Sequence, residues 1–283
     1  MNFTLFVVYS LLSLSLIIVV GYLVYAHHKI LLGLTIIFTL AIVISFSVNS
    51  NFSLNEWMGL SKKIALIPLG LAVVYGFSLL NSSLREANIK LFSIIMNVSM
   101  LGNILMMMFI PPDGSYRNIV GKITCTLLVI WVLQEMKKRD WQTVKFEDGF
   151  FLFNASPLPW ILSHSLYRMI LVSLPIFDSF KYVLLEPLSL SFMYIFYRAH
   201  QRKFAVYYYF GMAESVVVPT LAVTGWFLDL PVFNFLETSN FVLFSNFQLD
   251  LAFVPVQVLV CCFALYSISR NYRQVLVKSS RLN

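Results

Sequence analysis

The chain consists largely of long apolar runs, which are separated by short clusters of basic and polar residues. The first run, FTLFVVYSLLSLSLIIVVGYLVYA at residues 3–26, contains no charged side chain. A helix needs about 20 apolar residues to cross about 30 Å of hydrocarbon. Charged residues make up only 12% of the chain, whereas an average soluble domain carries about 25%. The pattern therefore predicts an all-α, polytopic helical membrane protein.

Cutting the chain at its polar clusters predicts about nine transmembrane helices. The segment 231–248 is apolar too, but Pro231, Asn234 and Glu237 argue against a true span, so we expect a re-entrant or interfacial lid on the outer face. No linker or internal repeat divides the chain, which predicts one integral membrane domain over residues 1–283. The predicted spans are 2–26, 30–48, 64–81, 91–110, 118–136, 149–177, 181–197, 204–228 and 249–269.

The basic residues indicate how these spans are oriented, because Lys and Arg in short loops accumulate on the cytoplasmic side. With the N-terminus outside and the C-terminus cytoplasmic, most of them fall inside, and only Lys62, Lys63, Arg117 and Lys181 lie in outer loops. The first span lacks the basic start and small-residue cleavage site of a secretory signal, so we expect it to be retained. This bias favours a bacterial cytoplasmic (inner) membrane. The inner basic residues are Lys29, Arg85, Lys90, Lys137, Lys138, Arg139, Lys145, Arg198, Arg202, Lys203, Arg270, Arg273, Lys278 and Arg281.

The stretch SHSLYR places His164 and Arg168 near the middle of the predicted sixth span. A charged side chain at that depth costs about 2.5–3.5 kcal/mol even on lenient insertion scales, so it is expected to face the protein interior. Residues four apart share one face of a helix, and Glu186, Glu214 and Lys122 lie at depths from which they can reach these two. We expect these five residues to line a substrate or proton pathway. The alternative is that an ion pair among them only fixes helix packing.

Three uncharged polar residues within spans are expected to form a secondary lining of the same interior. Asn97 and Asn103 lie in the fourth span and Gln257 follows Pro255 in the last one. Each is also suited to hydrogen bonding between helices, which is worth about 1 kcal/mol. Pro157 and Pro159 are expected to interrupt the inner part of the sixth span, since proline removes a backbone hydrogen bond.

The sequence offers little for metal, cofactor or nucleic-acid chemistry. Cys125, Cys261 and Cys262 form neither a disulfide framework nor a metal-ligand spacing, and no nucleotide-binding or hydrolase motif is present. The net charge of +7 is dispersed between apolar runs, which indicates membrane topology rather than a nucleic-acid surface. We therefore expect no metal, no cofactor and no nucleic-acid partner.

Three functions fit this pattern. The first is a transporter or channel for a small anionic or zwitterionic solute, with proton coupling through the carboxylates and His164. The second is a subunit of a membrane assembly or a receptor, with a partner subunit or a second copy of the chain beside it in the bilayer. The third is a membrane-embedded enzyme acting on a lipid-linked substrate, with His164 as base. Short loops and ionisable residues within the spans favour transport over an enzyme.

Overall fold

The computed structural model describes residues 3–26, 81–138, 144–147, 150–153, 157–175 and 244–280, with single positions between 30 and 40 and between 183 and 195. Helices dominate these residues, so the helical class is as predicted. The elements are α1 (Phe3–Ala26), α2 (Ser82–Met106) followed by a 3-10 turn (Met107–Phe109), α3 (Tyr116–Lys138), β1 (Val144–Glu147), β2 (Phe150–Phe153), α4 (Leu158–Val172) and α5 (Asn246–Ser280).

The residues at both ends of α2 explain where this helix begins and where it stops. Its N-cap is Asn81, whose Oδ1 accepts a hydrogen bond of 2.9 Å from the backbone N–H of Leu84. Asparagine is favoured at this position because its side chain satisfies an N–H that the helix leaves unpaired. At the other end the chain turns extended at Ile110, since the following Pro111 disfavours helical backbone in the residue before it. Because this helix begins at Ser82, it starts well before the predicted span 91–110.

Helix α3 is the central element of the described bundle. Its neighbour α5 runs parallel to it. Arg117 contacts Asp250 near the starts of the two helices, and Glu135 contacts Asn271 further toward the C-terminal end of both. Helix α4 runs antiparallel to α3, as contacts from its residues Trp160 and Tyr167 show below. These relative directions are the ones that the predicted order requires of spans five, six and nine.

The core of the bundle lies where α3 meets α4 and α5. Trp160 is fully buried and donates its indole Nε1–H to the backbone oxygen of Leu128 at 2.8 Å. Tyr167 lies about two turns after Trp160 on α4 and packs against Gly121, which lies about two turns before Leu128 on α3. The buried apolar cluster contains Ile104, Cys125, Leu128, Trp131, Val132, Trp160, Ile161, Tyr167, Val260 and Ala264.

Two of the described helices are long and apolar enough to cross a membrane. They are Tyr116–Lys138, which is α3, and Asn246–Gln274, which is most of α5. Helix α5 keeps much of its apolar surface exposed, including Phe247, Leu251 and Leu259. The two helices enclose the predicted spans 118–136 and 249–269 and extend beyond them. Most of the spans predicted at 30–48, 64–81, 181–197 and 204–228, and the lid at 231–248, lie outside the described residues.

The sixth predicted span needs a correction. Residues 150–153 form strand β2, which pairs antiparallel with β1 so that Val144 faces Phe153 and Glu147 faces Phe150. Helix α4 begins only at Leu158, after Pro157 as N-cap residue. Phe-rich runs satisfy a hydropathy count and also favour strands, and proline is tolerated in the first helical turn, where its missing N–H costs nothing. Pro157 and Pro159 therefore start this helix instead of interrupting it.

Candidate functional site

A buried ion pair joins the beginnings of α3 and α5. The guanidinium Nε of Arg117 lies 3.3 Å from Oδ1 of Asp250, and the Arg117 side chain is fully buried. The guanidinium also donates from Nη1 to the backbone oxygen of Asn246 and from Nη2 to its Oδ1, each at 3.3 Å. Arg117 is thus held by the first turn of α5, and its charge faces a carboxylate.

The same carboxylate caps α3. Oδ2 of Asp250 accepts a hydrogen bond of 3.1 Å from the backbone N–H of Tyr116, and Oδ1 accepts one of 3.3 Å from that of Arg117. The first N–H groups of a helix have no partner within the helix, and the positive end of its dipole stabilises an anion there. Asp250 therefore serves two groups at once, the helix terminus and the guanidinium.

The turn before α3 is closed by a short hydrogen-bonded network. Oδ1 of Asp113 accepts hydrogen bonds from the backbone N–H of Ser115 at 3.0 Å and from its hydroxyl at 2.7 Å. The Ser115 hydroxyl in turn accepts from the N–H of Asn118 at 3.3 Å. Partial burial raises the pKa of the Asp113 carboxyl, but the hydrogen bonds from Ser115 and Asn118 together outweigh it and hold the pKa below its ordinary value. Gly114 occupies this turn with φ of +80°, a conformation that glycine adopts without strain.

Below the ion pair lies a small polar cavity. Its volume is about 10 Å³, which is close to the space that one water molecule needs. Two cationic side chains, Arg117 and Lys122, contribute to its wall, and no carboxylate is among its described lining residues. The lining consists of Met107, Ile110, Arg117, Asn118, Gly121, Lys122, Tyr167, Leu171, Leu174 and Gln257.

Gln257 bridges α5 to α3 at this cavity. Its Nε2 donates to the backbone oxygen of Arg117 at 3.0 Å, and the side chain is almost completely buried. The bridge depends on Gly121, because a Cβ at that position would lie 3.2 Å from Nε2 of Gln257 and 3.7 Å from Cε2 of Tyr167. A glycine on the facing surface of α3 therefore makes room for the amide.

The predicted pair on α4 occupies a different environment. His164 is fully buried, and its ring stacks on Trp160 with centroids 4.9 Å apart and planes at 7°. The ring of Tyr167 is tilted against it at 6.5 Å. Arg168 is only half-buried. Neither His164 nor Arg168 is among the described residues that line the cavity, although Tyr167, which contacts the His164 ring, is one of them.

The remaining predicted site residues are less completely described. Asn97 and Asn103 lie on α2, and the positions of their side chains lie outside the described part of the structure. Glu186 and Glu214 also lie outside the described residues. The pathway predicted from these residues therefore stays a prediction.

Sequence reasoning missed the most completely enclosed charge of the described region. Arg117 was expected in an outer loop, but it lies in the first turn of α3 and is fully buried. A signal was present, since Arg117 and Asp250 have opposite charges and stand at the starts of two spans that were predicted to run in the same direction. The predicted topology places the two starts on the same side of the membrane, but it does not make the two spans neighbours, so the pairing itself was not predictable.

Within the described ranges no group of three or more His, Cys, Asp or Glu residues is placed to hold a metal ion. Cys125 donates its thiol to the backbone oxygen of Ile104 at 3.3 Å, and the sulfur of Cys261 lies 3.2 Å from the hydroxyl of Thr124. Cys262 is exposed. These contacts assign the first two thiols to helix packing.

Comparison with models of known protein families, with curated proteins and with solved structures found no match to this chain.

Proposed function

We propose that the chain is an integral membrane transporter of a small anionic or zwitterionic solute. One observation carries this proposal: a cavity lined by two cationic side chains and by Gln257 lies between helices whose outer surfaces are apolar. Charged residues within a membrane-spanning bundle are expensive and generally mark the path of a solute or ion. The two long apolar helices support a membrane location, and the predicted charge distribution favours a bacterial inner membrane.

The charges around the cavity favour an anion. Asp250 neutralises Arg117 by direct contact, and Lys122 is the second cationic residue among those that line the cavity. An anionic group that enters this space meets a positive potential in a medium of low dielectric constant. Arg168 on α4 would line the predicted pathway, and His164 with Glu186 and Glu214 would supply the proton coupling.

The size of the cavity favours a gated transporter over an open channel. About 10 Å³ holds one water molecule, so no organic solute fits in this arrangement of the described helices. Passage would require α3, α4 and α5 to separate at the cavity, as in proteins that alternate between two arrangements around one site. The described bundle would then represent the closed arrangement.

Currents on solid-supported membranes test the proposal without labelled solute. Proteoliposomes with the purified full chain are exposed to jumps of chloride, acetate, phosphate and glycine, with and without a pH gradient. We expect a current with at least one of these solutes, and we expect Lys122→Gln and Arg168→Ala to abolish it while gel filtration and thermal unfolding show a folded protein.

The matched control is Lys137→Gln, since Lys137 is exposed at the opposite end of α3. It should keep the wild-type current. Equal currents in wild type and Lys122→Gln, or no current in wild type with any of the four solutes, would contradict the proposal.

A further inference from the structure

The side-chain amide of Gln257 makes a hydrogen bond through its nitrogen, whereas its oxygen accepts none from the described residues. Its Nε2 donates to the backbone oxygen of Arg117 at 3.0 Å. Its Oε1 is enclosed and accepts no hydrogen bond from any described residue. Only 1% of the Gln257 side chain is exposed, so bulk solvent does not reach this oxygen. A carbonyl oxygen that is removed from water without a replacement partner is strongly unfavourable.

The orientation of this amide is fixed by its neighbour. Exchanging the oxygen and nitrogen would place Oε1 against the backbone oxygen of Arg117, so two acceptors would face each other at the distance of the present bond. The uncommitted atom is therefore the acceptor, and what it requires is a hydrogen-bond donor.

The space beside Gln257 has the size and the lining of a water site. The cavity volume is about 10 Å³, and a buried water needs about 10–15 Å³ and two to four polar partners. Arg117, Asn118, Lys122 and Tyr167 line the cavity together with Gln257. We propose that this cavity is a binding site for a single water molecule, which donates a hydrogen bond to Oε1 of Gln257 and accepts one from Arg117 or Lys122.

A second enclosed atom supports the accepting half of this arrangement. Nε of Arg117 lies 3.3 Å from Oδ1 of Asp250, yet it is enclosed and makes no hydrogen bond with any described residue. A guanidinium N–H without a hydrogen bond is a donor that needs an acceptor. Water provides an acceptor for a cationic donor and a donor for Gln257 in one molecule.

Ions fit this site less well than water. Arg117 and Lys122 line the cavity and repel a cation, and an anion does not satisfy Oε1 of Gln257 because both are hydrogen-bond acceptors. A halide is also larger than a water molecule. The water would occupy this cavity in the closed arrangement of the helices, and the assignment does not depend on whether the chain transports.

A structure of the full chain in lipid nanodiscs, at a resolution that shows ordered water, tests the proposal directly. We expect one isolated density peak in the cavity within about 3.2 Å of Oε1 of Gln257. An empty cavity, or a side chain that donates to Oε1 in place of solvent, would overturn it. Crystals grown in bromide add a second test, because an anomalous peak at the site would identify the occupant as an anion and overturn the water assignment.

A pair of variants tests the role of Gln257. Gln257→Met keeps the length of the side chain and removes its acceptor, so the peak should disappear. Gln274→Met, at an exposed position on the same helix, should leave the peak in place. A peak of unchanged strength in Gln257→Met would overturn the assignment of Gln257 as its ligand. If Gln257→Met does not fold, the wild-type maps alone decide the proposal.

Discussion

Arg117 and Asp250 are 133 positions apart in the sequence, and Asp250 both pairs with the buried guanidinium of Arg117 and caps the helix on which Arg117 lies. The side chain of Arg117 is completely enclosed, while that of Asp250 keeps 12% of its surface exposed. The pair therefore fixes how the starts of α3 and α5 are aligned. Breaking it from either side affects a helix terminus and a buried charge together.

Asp250→Ala should lower the free energy of unfolding by about 3–5 kcal/mol, because it leaves the buried charge of Arg117 without its partner. The double variant Arg117→Met with Asp250→Leu should cost less than Arg117→Met or Asp250→Leu alone, since it leaves no unpaired charge at this site. Thermal unfolding in lipid nanodiscs measures both effects. Glu86→Ala, at an exposed position on α2, is the control and should stay within about 0.5 kcal/mol of wild type. If the stability lost in the double variant equals the sum of the losses in the two single variants, the two residues are not coupled.

Gly121 and Gly102 provide a comparison of two glycines within helices. Alanine should stabilise a helix interior by about 0.5–1 kcal/mol relative to glycine. Gly102→Ala should show this gain, since a Cβ there meets no atom of the described residues within 4 Å. Gly121→Ala should lose the gain or reverse it, because its Cβ would lie 3.2 Å from Nε2 of Gln257.

The unfolding temperatures of the two alanine variants, measured side by side, give the result. A Gly121→Ala variant as stable as Gly102→Ala would mean that Gln257 shifts without cost, and that its hydrogen bond to Arg117 contributes little.

The apolar parts of α3 and α5 were predictable because the length of an apolar run is a local property of the sequence. The continuation of α5 to Ser280, beyond the predicted end at 269, was not predicted. The burial of Arg117 was not predictable from such a run. When depth is counted from the edge of an apolar run, a charged residue at that edge is assigned to the loop. The partner of Arg117 is Asp250, which lies on a helix far along the chain. Lys122 was predicted for the pathway and Gln257 for its secondary lining, because each interrupts an apolar run. Both are among the residues that line the small cavity, and their role in a pathway stays a prediction.

The start of α4 shows a different limit. Phe150, Phe151 and Phe153 raise the hydropathy of the predicted sixth span as much as a helical segment would, so an apolar count does not distinguish strand β2 from a helix. Strand pairing with residues 144–147 decides the outcome, and pairing depends on a neighbouring segment. His164 is buried and its ring stacks on Trp160, and no periodicity in the sequence indicates that contact.

Asp113 should give the turn before α3 a dependence on pH. Hydrogen bonds hold its pKa below the ordinary value of 3.8, so its contribution to stability is fully present above that value and is lost as the pH falls through the lowered pKa. Asp113→Asn should therefore destabilise the protein at neutral pH, by less than about 1 kcal/mol because the carboxylate is partly screened by solvent. The difference should shrink toward zero in strong acid.

Thermal unfolding of wild type and Asp113→Asn between neutral and acidic pH tests this. The control is Glu86→Gln, an exposed carboxylate on α2, which should change little across the same range. A difference between wild type and Asp113→Asn that stays constant as the pH falls would show that the ionised form of Asp113 contributes nothing to the turn.

The parallel direction of α3 and α5 predicts which side of the membrane reaches each helix end. Tyr116 and Phe247 lie at the two starts and are 67% and 73% exposed, so single cysteines at both positions should react with a membrane-impermeant maleimide added from the same side. Arg273→Cys, at an exposed position near the other end of α5, should react from the opposite side. The positive-inside rule places the two starts outside, because Lys137 and Lys138 end α3.

The experiment uses intact cells and inverted vesicles, with Cys125, Cys261 and Cys262 replaced by alanine and unfolding checked beforehand. Labelling of the two starts from opposite sides would contradict a parallel pair of membrane-spanning helices, whereas labelling of all three positions from one side would contradict a crossing by α5.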